Sequence, residues 1–328
     1  MKLFPIKFEK SIPKAYKFIE WKIHNVCNYN CSFCPSRHKD GSQRWFSLDQ
    51  YKNYIDKLYD LCEGMPYWIQ FTGGEPTLFP KLIELCQYIK SKNGMVSLIS
   101  NGTRTLRWWQ ELKEANTIDY LFITLHTEQT KDYQHIENIL NLFHDVPIEV
   151  ICLITHVKET IPLAFEAQKY LQKNTGAIIT LKAMMIGDYD IYSFYTPEQL
   201  STLMKYNWVA GDNRETKAKS TLPNHLKINH TLKITYNNGK SVNLDPQVIM
   251  KMKQNRFIDW QCEIGKDNMR IDYDIVYRGV CEVGGTRNLN DIDLNFTNDF
   301  VKCTSFDCFC GTDMIAQKYL PEELYPKS

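Results

Sequence analysis

The sequence predicts an α/β fold in which a partial (β/α)6 barrel is followed by a smaller, β-rich extension that contains cysteines. Between residues 19 and 186, six short apolar runs rich in β-branched and aromatic residues alternate with segments of helical periodicity. After residue 225 this alternation gives way to hairpin patterns. Six β/α units are too few for a closed eight-fold barrel, so we expect an open, partial one.

The predicted barrel covers residues 19–209. Its strands are the apolar runs 18–23, 67–71, 95–99, 120–125, 148–154 and 178–184. Between them, helical periodicity covers residues 47–62, 79–92, 105–116, 132–144 and 158–173. Strands that alternate with helices in this way imply a parallel sheet with right-handed crossovers.

Three further segments flank the predicted barrel. Residues 1–18 form an N-terminal extension, residues 210–225 are polar and predict a linker, and residues 226–328 form the β-rich extension. Within the last of these, Asn238-Gly239 and Asp274 each lie between two apolar runs, which is typical of hairpin turns.

Composition excludes several classes of protein. Lys and Arg number 39 against 38 Asp and Glu, so no bulk charge favours nucleic acid. No apolar run reaches the ~20 residues of a membrane-spanning helix, and the N-terminus lacks the apolar segment of a secretory signal. We therefore expect a cytoplasmic protein without nucleic-acid or membrane partners, whose thiols stay reduced.

The first group of cysteines follows the first predicted strand with the spacing C-x3-C-x2-C, at Cys27, Cys31 and Cys34. Clustered thiols in a reducing compartment are typical of metal sites. Three thiolates on a cubic [4Fe–4S] cluster leave one iron open to a further ligand. On spacing alone, a zinc knuckle with a distant fourth ligand and a set of packing cysteines also remain open.

A second motif, Gly73-Gly74-Glu75-Pro76, ends the second predicted strand. Two glycines let the backbone approach a ligand closely, and Pro76 restricts Glu75 to an extended conformation. One β/α unit after C-x3-C-x2-C, this motif closely resembles the radical S-adenosylmethionine (radical SAM) superfamily. The resemblance covers roughly residues 19–186.

The resemblance implies a TIM-like partial barrel and gives roles to residues of this chain. It implies that Cys27, Cys31 and Cys34 hold a [4Fe–4S] cluster whose open iron binds SAM. Phe33 is expected near the adenine, and Gly73 to Glu75 at the amino group of the SAM methionine. Further cofactor contacts are expected at the next two strand ends, from Ser100, Asn101, Thr124 and His126.

The five late cysteines resemble the twitch or SPASM-type extensions of this superfamily, which carry auxiliary iron–sulfur clusters. A second [4Fe–4S] cluster needs four ligands, so one of the five thiols is left over. We expect Cys262, Cys281, Cys303 and Cys308 to be ligands and Cys310 to be the spare thiol, a candidate hydrogen-atom donor in catalysis. A structural zinc site is the alternative.

The resemblance implies an enzyme that cleaves SAM reductively to a 5′-deoxyadenosyl radical, which abstracts a hydrogen atom from the substrate. We expect dehydrogenation or epimerisation of a small polar molecule, such as a sugar or cyclitol, with an electron donor such as flavodoxin or ferredoxin. Modification of a ribosomally made peptide is one alternative. A non-catalytic iron–sulfur or zinc-binding protein is another.

Overall fold

The chain forms two compact units. The tail unit comprises Met1–Glu20, Asp56–Trp68 and His225–Ser328, and the barrel unit comprises Trp21–Ile55 and Ile69–Asn224. The predicted linker and Cys310 lie outside the residues that the structure describes. The structure, a computed structural model, describes residues 3–10, 16–130, 132–155, 157, 159–183, 196–199, 201, 231–244, 246, 249, 252, 254–279, 281, 285–296, 299–305, 307–308 and 311–325.

Strands and helices are numbered here in chain order. The strands are β1 Pro5–Lys10, β2 Lys17–Lys22, β3 Tyr67–Thr72, β4 Met95–Ser100, β5 Tyr120–His126, β6 Ile148–Ile154, β7 Ile178–Ala183, β8 Leu232–Tyr236, β9 Ser241–Leu244, β10 Gln261–Cys262, β11 Asn268–Asp272, β12 Ile275–Tyr277, β13 Thr286–Asn288, β14 Val301–Lys302 and β15 Lys318–Tyr319. The α-helices are α1 Leu48–Leu61, α2 Leu82–Ser91, α3 Leu106–Glu114, α4 Tyr133–Leu142, α5 Thr160–Thr175 and α6 Gly311–Met314.

The barrel unit is the partial (β/α) barrel that the sequence predicts. Strands β4, β5, β6 and β7 pair in parallel in chain order, and β3 and β2 continue the sheet on the β4 side. Helices α2 to α5 each join one strand to the next, as right-handed crossovers require. Because the strands are parallel, their carboxyl ends and the loops that follow them lie along one edge of the sheet.

Helix α1 fixes the end of strand β2. Its residue Tyr51 is fully buried, packs edge-to-face on Trp21 with 5.6 Å between ring centroids, and donates a 2.7 Å hydrogen bond to the carbonyl of Ile23. Trp21 and Phe71 are also fully buried beneath this contact. The backbone that enters the first cysteine group therefore starts from a rigid point of the core.

The tail unit contains a six-stranded sheet in the order β14-β10-β15-β1-β8-β9. Strand β1 lies inside this sheet and is antiparallel to both β8 and β15. From the sequence, residues 1–18 are expected only to form an N-terminal extension. Alternation explains the strand, since Phe8 is fully buried against Phe257 while Lys7 and Glu9 pair on the outer face. The two predicted hairpins form as β8–β9 and β11–β12.

Three isolated cysteines, Cys62, Cys86 and Cys152, are at most 1% exposed and pack as small hydrophobic residues. Within the described part of the chain, no helix is both long and apolar enough to cross a membrane.

Candidate functional site

The cysteine loop, residues 24–43, follows β2 and carries the first three thiols. Asn25, near the start of this loop, is buried and forms hydrogen bonds with residues near the end of the loop. Its amide nitrogen lies 3.0 Å from the Arg37 carbonyl and 2.7 Å from Asp40 Oδ1, and its amide oxygen accepts from Gln43 N–H at 2.8 Å. The two ends of the loop are therefore held together by one buried side chain.

The three thiols lie on one stretch of this loop. Cys31 is buried, whereas Cys27 and Cys34 are half-buried. Burial raises the pKa of all three thiols, that of Cys31 to about 12, and the thiolates of Cys27 and Cys34 add to the effect at Cys31. No three His, Cys, Asp or Glu side chains of the described residues already stand close enough to hold a metal ion. Metal binding therefore requires the thiols to lose protons and converge.

Two charged groups anchor the middle of the cysteine loop. The Glu128 carboxylate accepts from both the backbone N–H (2.8 Å) and the hydroxyl (2.7 Å) of Ser32. The ammonium of Lys39 donates to the carbonyl of Cys31 at 2.6 Å. Glu128 follows β5, so its bidentate contact connects the loop to a second strand end. The spacing of the cysteines gives no signal for Glu128 or Lys39.

Gly73 and Gly74 bring the loop after β3 into contact with the start of the cysteine loop. Gly74 N–H donates to the carbonyl of His24 and Glu75 N–H to that of Val26, at 2.9 and 2.8 Å. A Cβ on Gly73 would lie 2.4 Å from the His24 carbonyl, and one on Gly74 would lie 2.2 Å from the Val26 carbonyl. The glycines are thus needed for a close approach, but here the approach is to backbone rather than to a ligand.

The Glu75 carboxylate is buried and connects the ends of strands β3 and β4. Its Oε1 accepts from Thr77 N–H (3.1 Å), the Thr77 hydroxyl (2.7 Å) and the Ser100 hydroxyl (2.8 Å), while Oε2 accepts from Asn101 N–H (2.7 Å). Burial raises its pKa against these four donors. Oε1 accepts three of these hydrogen bonds and Oε2 accepts one, so Oε2 is the oxygen with room for a further donor.

Asn101 connects the end of β4 to the cysteine loop. Its amide donates to Asn28 Oδ1 at 3.0 Å, and Asn28 in turn donates to Thr103 Oγ1 at 2.7 Å. Asn28 lies between Cys27 and Cys31, a position that sequence reasoning did not single out. Beside this network is a cavity of about 510 Å³, and its lining combines hydroxyl and amide side chains, those of Tyr29, Asn101, Thr103, Gln129 and Thr130, with the apolar side chains of Leu106 and Ile136.

His126 and Thr124 occupy the end of β5. Thr124 Oγ1 donates to the Ser100 carbonyl (3.2 Å), so His126 Nε2 donates to Thr124 (3.1 Å) and its Nδ1 is left as an acceptor. That Nδ1 atom is buried and has no hydrogen-bond partner among the described residues. The ring stacks on Phe33 at 5.6 Å, and burial lowers the His126 pKa to about 4, so the imidazole is neutral.

Four of the five late cysteines gather at one core of the tail unit. Cys262, Cys303 and Cys308 are buried in it, and Cys281 packs against it. The backbone of three of them is fixed by a hydrogen bond. Cys303 N–H donates to the Trp260 carbonyl (2.7 Å), Cys308 N–H to the Asn255 carbonyl (2.9 Å) and Cys281 N–H to Asp313 Oδ2 (2.9 Å). The position of Cys310 lies outside the described residues.

Comparisons with known proteins identify the barrel. Residues 21–161 match the profile of the radical SAM superfamily. The chain is 27% identical over 163 residues to an S-adenosylmethionine-dependent nucleotide dehydratase of a Thermoplasmatales archaeon, which covers 46% of this chain and 57% of that protein. It is 31% identical over 123 residues to a probable GTP 3′,8-cyclase of Sulfurisphaera tokodaii, which covers 36% of each.

Among solved structures, that of Streptococcus suis SuiB bound to the precursor peptide SuiA aligns with a TM-score of 0.49 and 10% identity, over 84% of this chain and 63% of that one. The chain spans about a third to a little over half of the length of the two curated relatives.

The profile match contains both sequence motifs and the strand ends around them. It includes the cysteine loop, Gly73 to Glu75, and the ends of β4 and β5. Members of this superfamily are enzymes that bind a [4Fe–4S] cluster and SAM. The barrel of this chain, over residues 21–161, belongs to the radical SAM superfamily.

Proposed function

We propose that this protein is a radical SAM enzyme that abstracts a hydrogen atom from a small polar substrate. In this proposal Cys27, Cys31 and Cys34 hold the [4Fe–4S] cluster that binds SAM. An auxiliary [4Fe–4S] cluster is held by four late cysteines, namely Cys262, Cys281, Cys303 and Cys308.

The observation that supports the proposal best is the buried carboxylate of Glu75. It lies one residue after the glycines that pair with the backbone before Cys27, and it also binds Asn101 N–H. Its Oε2 has capacity for one more donor, as the amino group of SAM requires. The unpartnered Nδ1 of His126, stacked on Phe33, supplies a second acceptor beside an aromatic ring. The residues present therefore fit the cofactor.

The chain's own part in the chemistry is to bind, orient and exclude water. When bound and reduced, the cluster and SAM together supply a 5′-deoxyadenosyl radical able to remove hydrogen from carbon. Glu75, in its ionised form, fixes the amino end of SAM by charge-assisted hydrogen bonding. The neutral imidazole of His126 accepts a hydrogen bond at Nδ1 without adding charge. The Ser100 hydroxyl donates to Glu75 Oε1, and the Ser100 carbonyl accepts from Thr124, which is the partner of His126. Ser100 therefore links the position of Glu75 to that of His126.

The substrate class is small and polar in this proposal. The two curated relatives are named for reactions of nucleotides, which are polar molecules that contain a sugar ring. The cavity beside Asn101 presents the hydroxyl groups of Thr103 and Thr130 and the amide of Gln129, which can form hydrogen bonds with the hydroxyl groups of a substrate. Dehydrogenation or epimerisation at a ring carbon is the reaction proposed, with Cys310 as the hydrogen-atom donor if the reaction is an epimerisation. Modification of a peptide is the alternative.

The test is an anaerobic assay of reconstituted protein with SAM and a strong reductant or reduced flavodoxin. We expect 5′-deoxyadenosine to form slowly without substrate and faster with the correct substrate, screened among nucleotides, sugars, cyclitols and short peptides. In deuterated water, epimerisation installs deuterium in the product, whereas dehydrogenation releases it unlabelled. Protein that takes up only zinc and leaves SAM intact would overturn the proposal in favour of a non-catalytic metal-binding protein.

A further inference from the structure

One lysine of the tail unit is buried among its cysteines. Lys318 is 1% exposed, and its ammonium donates to three backbone carbonyls, those of Asp313 (2.5 Å), Met314 (3.3 Å) and Ala316 (3.0 Å). It also lies 5.0 Å from the centre of the Phe257 ring. All three donors are used, but no carboxylate of the described residues forms an ion pair with it.

The position of Lys318 is set by the sheet. It is the direct antiparallel partner of Cys262, across strands β15 and β10. Both side chains are buried, so they lie on the same, inner face of the sheet. Cys262 belongs to the same buried core as Cys303 and Cys308. The side chain of Lys318 therefore lies on the face of the sheet where these cysteines gather.

A buried cation without a formal anion is costly, because desolvation exceeds what neutral hydrogen bonds return. The nearest buried carboxylate is that of Asp313, but its Oδ2 accepts from Cys281 N–H and its Oδ1 has no partner among the described residues. A cluster held by four thiolates carries net negative charge. Binding it would place an anion on the face of the sheet where the lysine already lies.

We propose that Lys318 is the charge partner of the auxiliary cluster: its ammonium strengthens metal binding by the late cysteines and makes the cluster easier to reduce. Asp313 acts in the opposite direction while it positions Cys281. Both are positioning residues rather than metal ligands. This inference rests on the auxiliary cluster of the proposed function, because neutral thiols alone do not compensate the charge.

The experiment uses full-length protein that carries Cys27→Ala, Cys31→Ala and Cys34→Ala, so that only the tail site takes up iron. In this background we compare Lys318→Met, which keeps the apolar stem, with Lys302→Met. Lys302 is a matched control because it lies opposite Gln261 of the same strand β10, but its side chain is 63% exposed and pairs with Asp259. Iron content, iron loss to a chelator and the midpoint potential are measured after anaerobic reconstitution.

We expect Lys318→Met to bind the metal about 10- to 100-fold more weakly and to shift the midpoint potential to more negative values. Lys302→Met should match the background, and Lys318→Arg should retain the potential. Asp313→Asn should shift the potential in the opposite direction, and this second variant keeps the test decisive if Lys318→Met does not fold.

Equal potentials and equal iron retention in Lys318→Met and Lys302→Met would overturn the inference, as would an unchanged potential in Asp313→Asn. If the background protein, without any change at Lys318 or Asp313, took up no iron or only zinc, the auxiliary cluster of the proposed function would be disproved. The inference about Lys318 would then also be overturned.

Discussion

The two groups of cysteines are built in opposite ways. Cys27, Cys31 and Cys34 belong to one loop of the barrel unit, and two of the three are half-buried. The late cysteines come from separate segments of the tail unit, and Cys262, Cys303 and Cys308 lie inside its core. Local spacing alone brings the first group together, whereas the second exists only once the antiparallel sheet has formed.

This difference separates metal binding from stability. The cysteine loop is closed by Asn25 and its neighbours, and only Cys31 of its three thiols is buried, so removal of these thiols takes little volume from the core. The late cysteines pack against Phe8, Phe257 and other core residues, so their replacement removes buried volume as well as the proposed ligands. The expected effects below follow this contrast, from the largest to the smallest.

The largest effect is expected from Cys27→Ala, Cys31→Ala and Cys34→Ala together. Reconstituted protein should bind about eight irons as two cubic clusters, and the triple variant about half of them. Formation of 5′-deoxyadenosine should stop, because no open iron remains for SAM. The melting temperature of the apo-protein should fall by less than in a variant of the buried late cysteines, since only Cys31 of the three loop thiols is buried. A large drop in apo-protein stability would show that the contrast between the two groups is wrong.

The next effect concerns the late cysteines one at a time. Cys262→Ala, Cys281→Ala, Cys303→Ala and Cys308→Ala should each lose the other half of the iron, whereas Cys310→Ala should keep it. The three buried positions should also lose about 1 to 3 kcal/mol of stability. Cys152→Ala is the matched control, because it removes a fully buried thiol without any loss of iron. Retention of all iron by Cys262→Ala, measured by colorimetric assay, would contradict the ligand assignment.

A smaller effect is expected from Glu75→Gln. The variant keeps an oxygen for Asn101 N–H but loses the negative charge, so SAM should bind about tenfold or more weakly while iron content stays unchanged. Thr77→Ala is the control, since it removes one donor from Oε1 and leaves Oε2 intact. Calorimetric titration of SAM into anaerobic protein measures the difference. Equal affinity in Glu75→Gln and the unaltered protein would place the amino group of SAM elsewhere.

The smallest effect at neutral pH is a pH dependence of the barrel unit, which appears only below pH 6.5. His24 is fully buried, and burial lowers its pKa from 6.5 to about 4. The unfolded chain therefore takes up a proton first as pH falls, so stability is complete above pH 6.5 and declines toward pH 4, by about 3 kcal/mol. His24→Asn, which keeps an acceptor for Val26 N–H, should flatten this decline in urea unfolding measured across that window. An equally steep decline in the variant would assign the dependence to other groups.

The sequence predicts those parts of the fold that depend on local patterns of residues. The strands of the barrel, the cysteine loop and the two hairpins follow from periodicity and spacing within short windows. Strand β1 was missed, because its alternation of Lys7, Phe8 and Glu9 is too short to distinguish from an exposed extension, and its partners lie more than 200 residues away.

The site shows the same limit. Glu75 stands in a recognisable motif, but its contacts with Ser100 and Asn101 depend on how β3 and β4 pair in the sheet. Glu128 and Lys318 carry no local signal at all. A charged residue in a turn or near the C-terminus is ordinarily exposed, and only the fold shows that one binds Ser32 and the other is buried opposite Cys262.

The central place of β1 has a consequence for biosynthesis. During translation β1 emerges from the ribosome first, yet β15, one of its two partners, emerges only after some three hundred further residues. The barrel between them can fold while the chain is still being made. The sheet that gathers Cys262 and Lys318 closes only after β15 has been made, so delivery of iron to that core should come later than delivery to the cysteine loop.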